Sequence, residues 1–303
     1  MICVTRTFLV AVSVSLLAGC TSQPRIVVGC KNFTEQIILG ELIAQQIENK
    51  THLPVERRFY LGGTYIAHQS ILAGRIDIYP EYTGTALTAV LKLQPESDRK
   101  AVYDHVKAEY ERRFQLTLGP ALGFNDTFAI EIRGEDARRL HLQTLSQAAQ
   151  FTPQWRAGFG YEFMERPDGY KGLVATYGLS FAAPPRIMDL GLLTRALKEH
   201  QVDLIAGNMT DGLIPALDLS VLEDDKHYFP PYEAVPVIRE QTLANHPEIR
   251  AALDELASKI SDAEMRELNY EVDGKKRDVK EVVSELLRVK VSQHSSRTSN
   301  STP

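Results

Sequence analysis

Residues 26–80 read IVVGCKNFTEQIILGELIAQQIENKTHLPVERRFYLGGTYIAHQSILAGRIDIYP, and the order of elements within them decides the fold. Ile26 to Gly29 is a short run of β-formers. Leu39, Leu42, Ile43 and Ile47 recur at i, i+3, i+4 and i+8, which predicts an amphipathic helix over 35–49. Asn32-Phe-Thr-Glu35 ahead of it has the form of a capping box, with Asn32 as N-cap and Glu35 at N3. Val55 to Tyr60 is a second strand, and Gly62-Gly63-Thr64 turns the chain into a helix that closes at Gly74. Ile76 to Tyr79 is a third strand, stopped by Pro80. Strand, helix, strand, helix, strand predicts an α/β fold with a parallel sheet covered on both faces.

Beyond Pro80, residues 99–113 are helical and Thr127 to Ile130 extended, after which the pattern restarts. Leu145 to Ala149 and Leu192 to Gln201 are helical, and Gln154 to Phe159 and Val202 to Ala206 extended. After Pro230-Pro231 come an extended Val235 to Ile238 and helices at 247–259, 262–268 and 278–290, the middle one capped by Ser261-Asp-Ala-Glu264. That last stretch is too short and too helical to stand alone, so it returns to the first unit. The division expected is 26–126 plus 232–291 for one lobe and 127–231 for the other. Residues 292–303, SQHSSRTSNSTP, are polar and aperiodic and are expected to be a disordered tail.

Ahead of the first strand, Arg6 supplies a positive n-region, Phe8 to Ala18 an apolar run, and Leu17-Ala-Gly-Cys20 a small-residue site. The run is shorter than the roughly 20 residues a membrane span needs, so residues 1–19 are expected to be an export signal. A site ending in cysteine resembles the bacterial lipobox, which makes Cys20 the expected lipid-attachment residue. The alternative is an ordinary signal with a chance cysteine. Several acyl chains would hold the protein at a membrane surface, each buried CH₂ contributing ~0.8 kcal/mol. Of the three cysteines, Cys3, Cys20 and Cys30, processing would leave Cys30 as the one free thiol, and the fold must rest on core burial.

The composition suits a globular chain: 303 residues, 44% hydrophobic, 24% charged, with a formal net charge of -5. A mildly acidic balance offers no field for nucleic acid. No Walker loop, GxGxxG, HExxH or GxSxG is present, and the eight histidines lack metal-ligand spacing. The chain is therefore expected to be no enzyme and to carry no cofactor or metal. Its chemistry is recognition.

Four words carry a resemblance: Lys31-Asn-Phe-Thr-Glu-Gln36, Asp77-Ile-Tyr-Pro-Glu-Tyr-Thr-Gly-Thr85, Glu165-Arg-Pro-Asp-Gly-Tyr170 and Thr210-Asp-Gly212, with Phe229-Pro-Pro-Tyr232 a weaker fifth. In this order over residues 26–290 the chain resembles the glycine betaine, carnitine and choline binding proteins of bacterial ABC importers. The resemblance implies a two-lobed periplasmic binding protein fold of type II, with mixed sheets and a ligand cleft at the hinge. It implies a lipid-anchored monomer in the periplasm or on the outer face of the cell membrane, delivering a small cationic or zwitterionic solute to an ABC permease and its ATPase. A trimethylammonium group has no N–H to donate, so aromatic faces must hold it. Tyr82 and Tyr232 match cage tyrosines, which would stand on opposite cleft walls, and Lys31, Thr85 and Arg166 match positions that bind the ligand's carboxylate.

Two departures bear on the ligand. Where many members of that family have Asn-Asn-Thr-Tyr, this chain has Asn125-Asp126-Thr127-Phe128, and where they have Tyr-Ser-Thr-Asp-Gly it has Asn208-Met-Thr-Asp-Gly212. Phe128 keeps a π face and can still cage a cation. Asn208 cannot, and its carboxamide brings donors and an acceptor instead. The same receptor with a more polar amine or amino acid derivative is thus an alternative. An exported hydrolase is a second, for which the sequence nominates no nucleophile beside a base. Each site residue also has a plainer reading: Tyr82 as packing, Lys31 as a solvated charge, Glu35 as a helix cap, and Arg166 as a turn residue paired with Glu165 or Asp168.

Overall fold

The computed structural model describes residues 25–299, with side chains through 290. Residues 1–19, expected to be an export signal, and Cys20 lie outside the described residues. Two five-stranded mixed sheets organise the chain. In the first, β1 (Ile26–Gly29) lies parallel to β2 (Val55–Arg58) and to β3 (Ile78–Tyr82). In the second, β6 (Ala157–Phe159) lies parallel to β7 (Arg186–Ile187) and β8 (Leu204–Asn208). β5 (Phe128–Arg133) runs antiparallel between β8 and β9 (Leu219–Leu222). β10 (Ala234–Arg239) returns to the first sheet and runs antiparallel between β3 and β4 (Leu116–Leu118). The orders β2-β1-β3-β10-β4 and β7-β6-β8-β5-β9 are thus the same plan used twice.

The chain crosses between the sheets twice, over 119–127 and 223–233, and the crossings bridge each other at Asn125 and Glu233. Asp126 N donates to Tyr232 O at 3.1 Å, and Tyr232 N donates to Asn125 Oδ1 at 2.6 Å.

Helix Thr34–Thr51 buries Ile38, Leu39, Leu42, Ile43 and Ile47. It is covered on its polar side as well, because helices Glu248–Asp254 and Val279–Ser299 pack over it. Two glutamines on that side are satisfied by the covering backbone: Gln46 Nε2 donates to Ala252 O and Gln45 Nε2 to Lys280 O, both at 2.9 Å. On the other face of the sheet Ile71, Tyr79, Val102, Val106 and Tyr110 form a separate cluster. Ile130, Ile132, Phe159, Leu173 and Leu204 anchor the second sheet, and Trp155 packs at the edge of that cluster, stacked on Phe151.

Three local expectations are corrected. The final helix continues to Ser299, through residues expected to be a disordered tail; no Gly or Pro between 279 and 299 interrupts it. Pro80 sits inside β3, opposite Pro236 of β10. Pro236 O accepts from Gly119 N on the β4 side, so its nitrogen also faces away from β3, and the proline pair occupies a position where neither partner owes an N–H. Lastly, the capping box at Asn32 does not form: Phe33 is the N-cap and no side chain caps the helix. The box at Ser261 and Glu264 does form.

Glu35 is instead drawn into a buried network. Its carboxyl accepts from Tyr82 Oη at 2.7 Å and from Asn269 Nδ2 at 3.0 Å, and contacts the Thr210 hydroxyl. The same hydroxyl lies 2.7 Å from Asp126 Oδ1, which also accepts from Thr210 N at 3.2 Å. Thr210 has one hydroxyl proton and two carboxyl neighbours, so one of Glu35 and Asp126 must itself be protonated and donate. Burial raises both pKa values, Asp126 well above the ordinary range with the charge of Glu35 adding to it, while hydrogen bonds from Thr210, Tyr82 and Asn269 oppose the rise at Glu35. Asp211, Asp273, Lys276, Lys31 and Arg266 are the other charged groups around the network. It joins helix 34–51, the first crossing, the turn after β8 and helix Asp262–Asp273.

Two outcomes follow for stability. Leu39 is fully buried, so Leu39→Ala should lower the unfolding free energy by about 2–5 kcal/mol in urea titration. A carboxyl whose folded pKa is raised favours the fold fully below its unfolded pKa, and that contribution is lost as pH rises through the folded value. The Tm should therefore fall as pH rises above the ordinary carboxylate range. Asp126→Asn should shrink that fall by ~2 °C or more in calorimetry; an unchanged slope would contradict the shared proton.

Candidate ligand-binding site

The carboxyl ends of β1, β3, β6 and β8 converge on a cavity of about 410 Å³, the position where open α/β sheets bind ligands. The first sheet and its loops contribute Lys31, Phe33, Tyr82, Thr85 and Tyr232, and the second Phe128, Phe163, Arg166 and Asn208. All seven residues singled out from the sequence, Lys31, Tyr82, Thr85, Phe128, Arg166, Asn208 and Tyr232, line this one cavity.

Tyr82 and Tyr232 do not face each other across the cleft. Tyr82 ends β3 in register with Ala234 of β10, two residues from Tyr232, so both stand on the side of the first sheet. The opposite wall is Phe128 and Phe163, packed edge to face at 4.9 Å. Phe128 also meets Tyr232 at 5.6 Å and 78°. Phe33 lies over Tyr82 at 6.4 Å and 18°. The hydroxyls of both tyrosines are tied down, Tyr82 to Glu35 and Tyr232 to Asp168 Oδ2 at 2.5 Å. Their ring faces are thereby fixed without spending the faces.

The two cationic side chains rest against these rings. The Arg166 guanidinium carbon is 5.0 Å from the centre of Phe128 and 5.8 Å from that of Tyr232; Lys31 Nζ is 5.0 Å from that of Tyr82. Each is paired from behind. Arg166 donates Nε and Nη2 to Asp168 at 2.9 and 2.6 Å, and Lys31 donates to Glu81. Against the cost of burial, the charge and hydrogen bonds of Asp168 hold the guanidinium pKa above its usual value. Burial would raise the Asp168 carboxyl, but Arg166 and the Tyr232 hydroxyl hold it below the ordinary range. Arg166 Nη1 donates to Thr85 Oγ1 at 3.1 Å, which leaves the Thr85 hydroxyl proton for another acceptor. Neutralised pairs that keep donors on the cavity side suit a ligand carrying both signs of charge.

Cys30, next to Lys31, is buried, and burial pushes its thiol up to about 12, so it is inert. Sequence reasoning left out Phe33, Phe163, Asp126 and Glu162, which also line the cavity. Phe33 lies within the word KNFTEQ and Asp126 within NDTF, so position was available there, though no periodic signal marked either. Phe163 and Glu162 lie on the short helix Tyr161–Glu165, beyond any motif.

Comparison with known proteins agrees with this architecture. Residues 24–288 match the family described as the substrate binding domain of ABC-type glycine betaine transport systems. The carnitine transport binding protein OpuCC of Listeria monocytogenes is 36% identical over 93% of this chain and 91% of its own. The ergothioneine transport permease/ergothioneine binding protein EgtU of Helicobacter pylori is 37% identical over 86% of this chain, which spans about half, 47%, of that protein. A crystal structure of a glycine betaine/carnitine/choline ABC transporter protein superimposes with a TM-score of 0.72 at 35% identity, covering 87% of this chain and 97% of that one. The family is one of transport rather than catalysis, and its ABC importer members work outside the cytoplasm. This chain belongs to the family of substrate-binding domains of ABC-type glycine betaine transport systems, with the α/β fold of type II periplasmic binding proteins.

Proposed function

We propose that this chain captures a small quaternary amine of the glycine betaine, carnitine or choline type and delivers it to an ABC permease and its ATPase. One observation carries the reading: the faces of Tyr82, Phe128 and Tyr232 and the donors of Lys31, Thr85 and Arg166 meet on one cavity built from both sheets. The rings take the ammonium group, each desolvated cation–π contact contributing ~2 kcal/mol. The Thr85 hydroxyl, Arg166 Nη1 and the remaining Lys31 protons take the carboxylate. The protein's own cations rest on the aromatic faces, and an entering carboxylate draws them aside as the ammonium takes their place. Closure about the paired crossings at Asn125 and Glu233 follows from contacts better made when the sheets approach. We place the chain outside the cytoplasm as a monomer, tethered through lipid on Cys20. Asn208 supports a second reading, the same receptor with a more polar amine.

Calorimetry with glycine betaine, carnitine and choline tests the first reading. Binding of at least one is expected, and none at millimolar concentration would overturn it. Phe128→Ala should weaken that ligand ~10-fold or more. Thr85→Val should weaken glycine betaine and carnitine ~10-fold or more while moving choline, which has no carboxylate, less than ~3-fold. Equal losses for all three would remove Thr85 from carboxylate recognition.

A further inference from the structure

Two glycines, one from each half of the molecule, sit where the halves touch. Gly63 precedes helix Thr64–Leu72 on the first-sheet side of the cavity, and a Cβ built on it would lie 2.1 Å from Glu162 Oε1, 2.5 Å from Glu162 Cδ and 3.2 Å from Glu162 Cγ. Glu162 belongs to the short helix Tyr161–Glu165 after β6, on the opposite lip. Gly212, in the turn after β8, meets helix Asp262–Asp273, where a Cβ would lie 2.4 Å from Tyr270 N. Neither glycine is needed for its backbone. Gly63 has φ −79° and ψ −169°, and Gly212 has φ −67° and ψ −17°, conformations open to any residue. What both positions require is the absence of a side chain, so that the other half can approach.

The contact at Gly63 has a charge as well as a shape. Helix Thr64–Leu72 has no side-chain cap, so its first-turn N–H groups present partial positive charge at Gly63. The Glu162 carboxyl comes to that end of the helix. Among the described residues it has no hydrogen-bond partner, and the neighbouring cation, Arg166, is already engaged by Asp168. Tyr65, Ile66 and Tyr161 flank the contact; all three are exposed and all three line the cavity, which places the contact at its mouth.

We propose that Glu162 seated on Gly63 is the clasp that shuts the mouth of the cavity, with Glu162 a positioning residue that holds the two lips together over a bound ligand. Closure is favoured only by contacts better made when the halves approach, and this contact, between residues of opposite halves, exists only then. A methyl group at 63 would hold the carboxyl off and the lips apart, so that a bound solute is less well enclosed. The clasp rests on the receptor reading, in which the sheets close over a ligand, and is independent of the ligand's class.

Two measurements on the full chain test it. In Gly63→Cys/Glu162→Cys the sulfur at 162 takes the place of Glu162 Cγ, 3.2 Å from the Cβ at 63, about the reach of a Cβ to the far sulfur of a disulfide. Mild oxidation should link the two peptides in most of the protein, read by mass spectrometry, while each single substitution gives no such link and buried Cys30 stays out. Calorimetry with glycine betaine, carnitine and choline supplies the second measurement. Gly63→Ala, with Tm not lowered, should weaken the ligand that binds best ~10-fold or more, and Glu162→Ala should weaken it ~3-fold or more. Adding Gly63→Ala to Glu162→Ala should then cost less than a further ~3-fold, because the methyl no longer has a carboxyl to meet. A merely structural role for Gly63 would give the same loss in both backgrounds. That result, unchanged binding in Gly63→Ala, or absence of the cross-link would overturn the clasp. If none of the three compounds binds, the quaternary-amine reading falls and the cross-link alone decides the clasp.

Discussion

Each sheet takes its antiparallel strand from a segment that has just crossed from the other sheet, and the two crossings lie side by side. That constraint underlies the rest of the molecule. The bridge at Asn125 and Glu233, with Tyr232 N on Asn125 Oδ1 and Asp126 N on Tyr232 O, fixes the backbone from which three cavity residues project. Asp126 and Phe128 leave the first crossing, and Tyr232 ends the second. Two paired segments also resist bending more than a single linker, since bending must preserve the hydrogen bonds between them.

Electrostatics at the site has two layers. Facing the cavity are aromatic faces and cations; behind them are carboxyls that neutralise the cations and anchor the tyrosine hydroxyls. The second layer keeps Arg166 and Lys31 charged in a nearly dry environment, where an unpaired charge would cost several kcal/mol. Glu35 and Asp126 stand apart, because they face each other across Thr210 and must retain a proton.

The parallel core of the first sheet was legible because hydrophobic periodicity is local, and the helix over 35–49 came out within two residues of Thr34–Thr51. The candidate cavity was approached through the motif words and their two departures, whose seven named residues line it. The failures share one cause. Glu35 has the spacing of a cap, yet partners more than 40 residues away in sequence claim its carboxyl. Asn32 has the chemistry of an N-cap and lines the cavity instead. Pro80 has the chemistry of a strand stop, and only the register with β10 decides that its missing N–H costs nothing. The placing of Tyr82 and Tyr232 on one wall likewise depends on which strand β10 joins, a long-range pairing with no local signal.

The facing prolines also protect the site from misfolding. Sliding β10 by one residue along β3 would require one of the two strands to turn over, bringing its proline to a position that needs a donor, losing a hydrogen bond at about 1 kcal/mol and leaving a carbonyl unpaired. It would also turn every side chain of that strand to the opposite face. Two absent N–H groups thus exclude the nearest competing alignment. The aromatic wall is specified partly by bonds that the chain is unable to make.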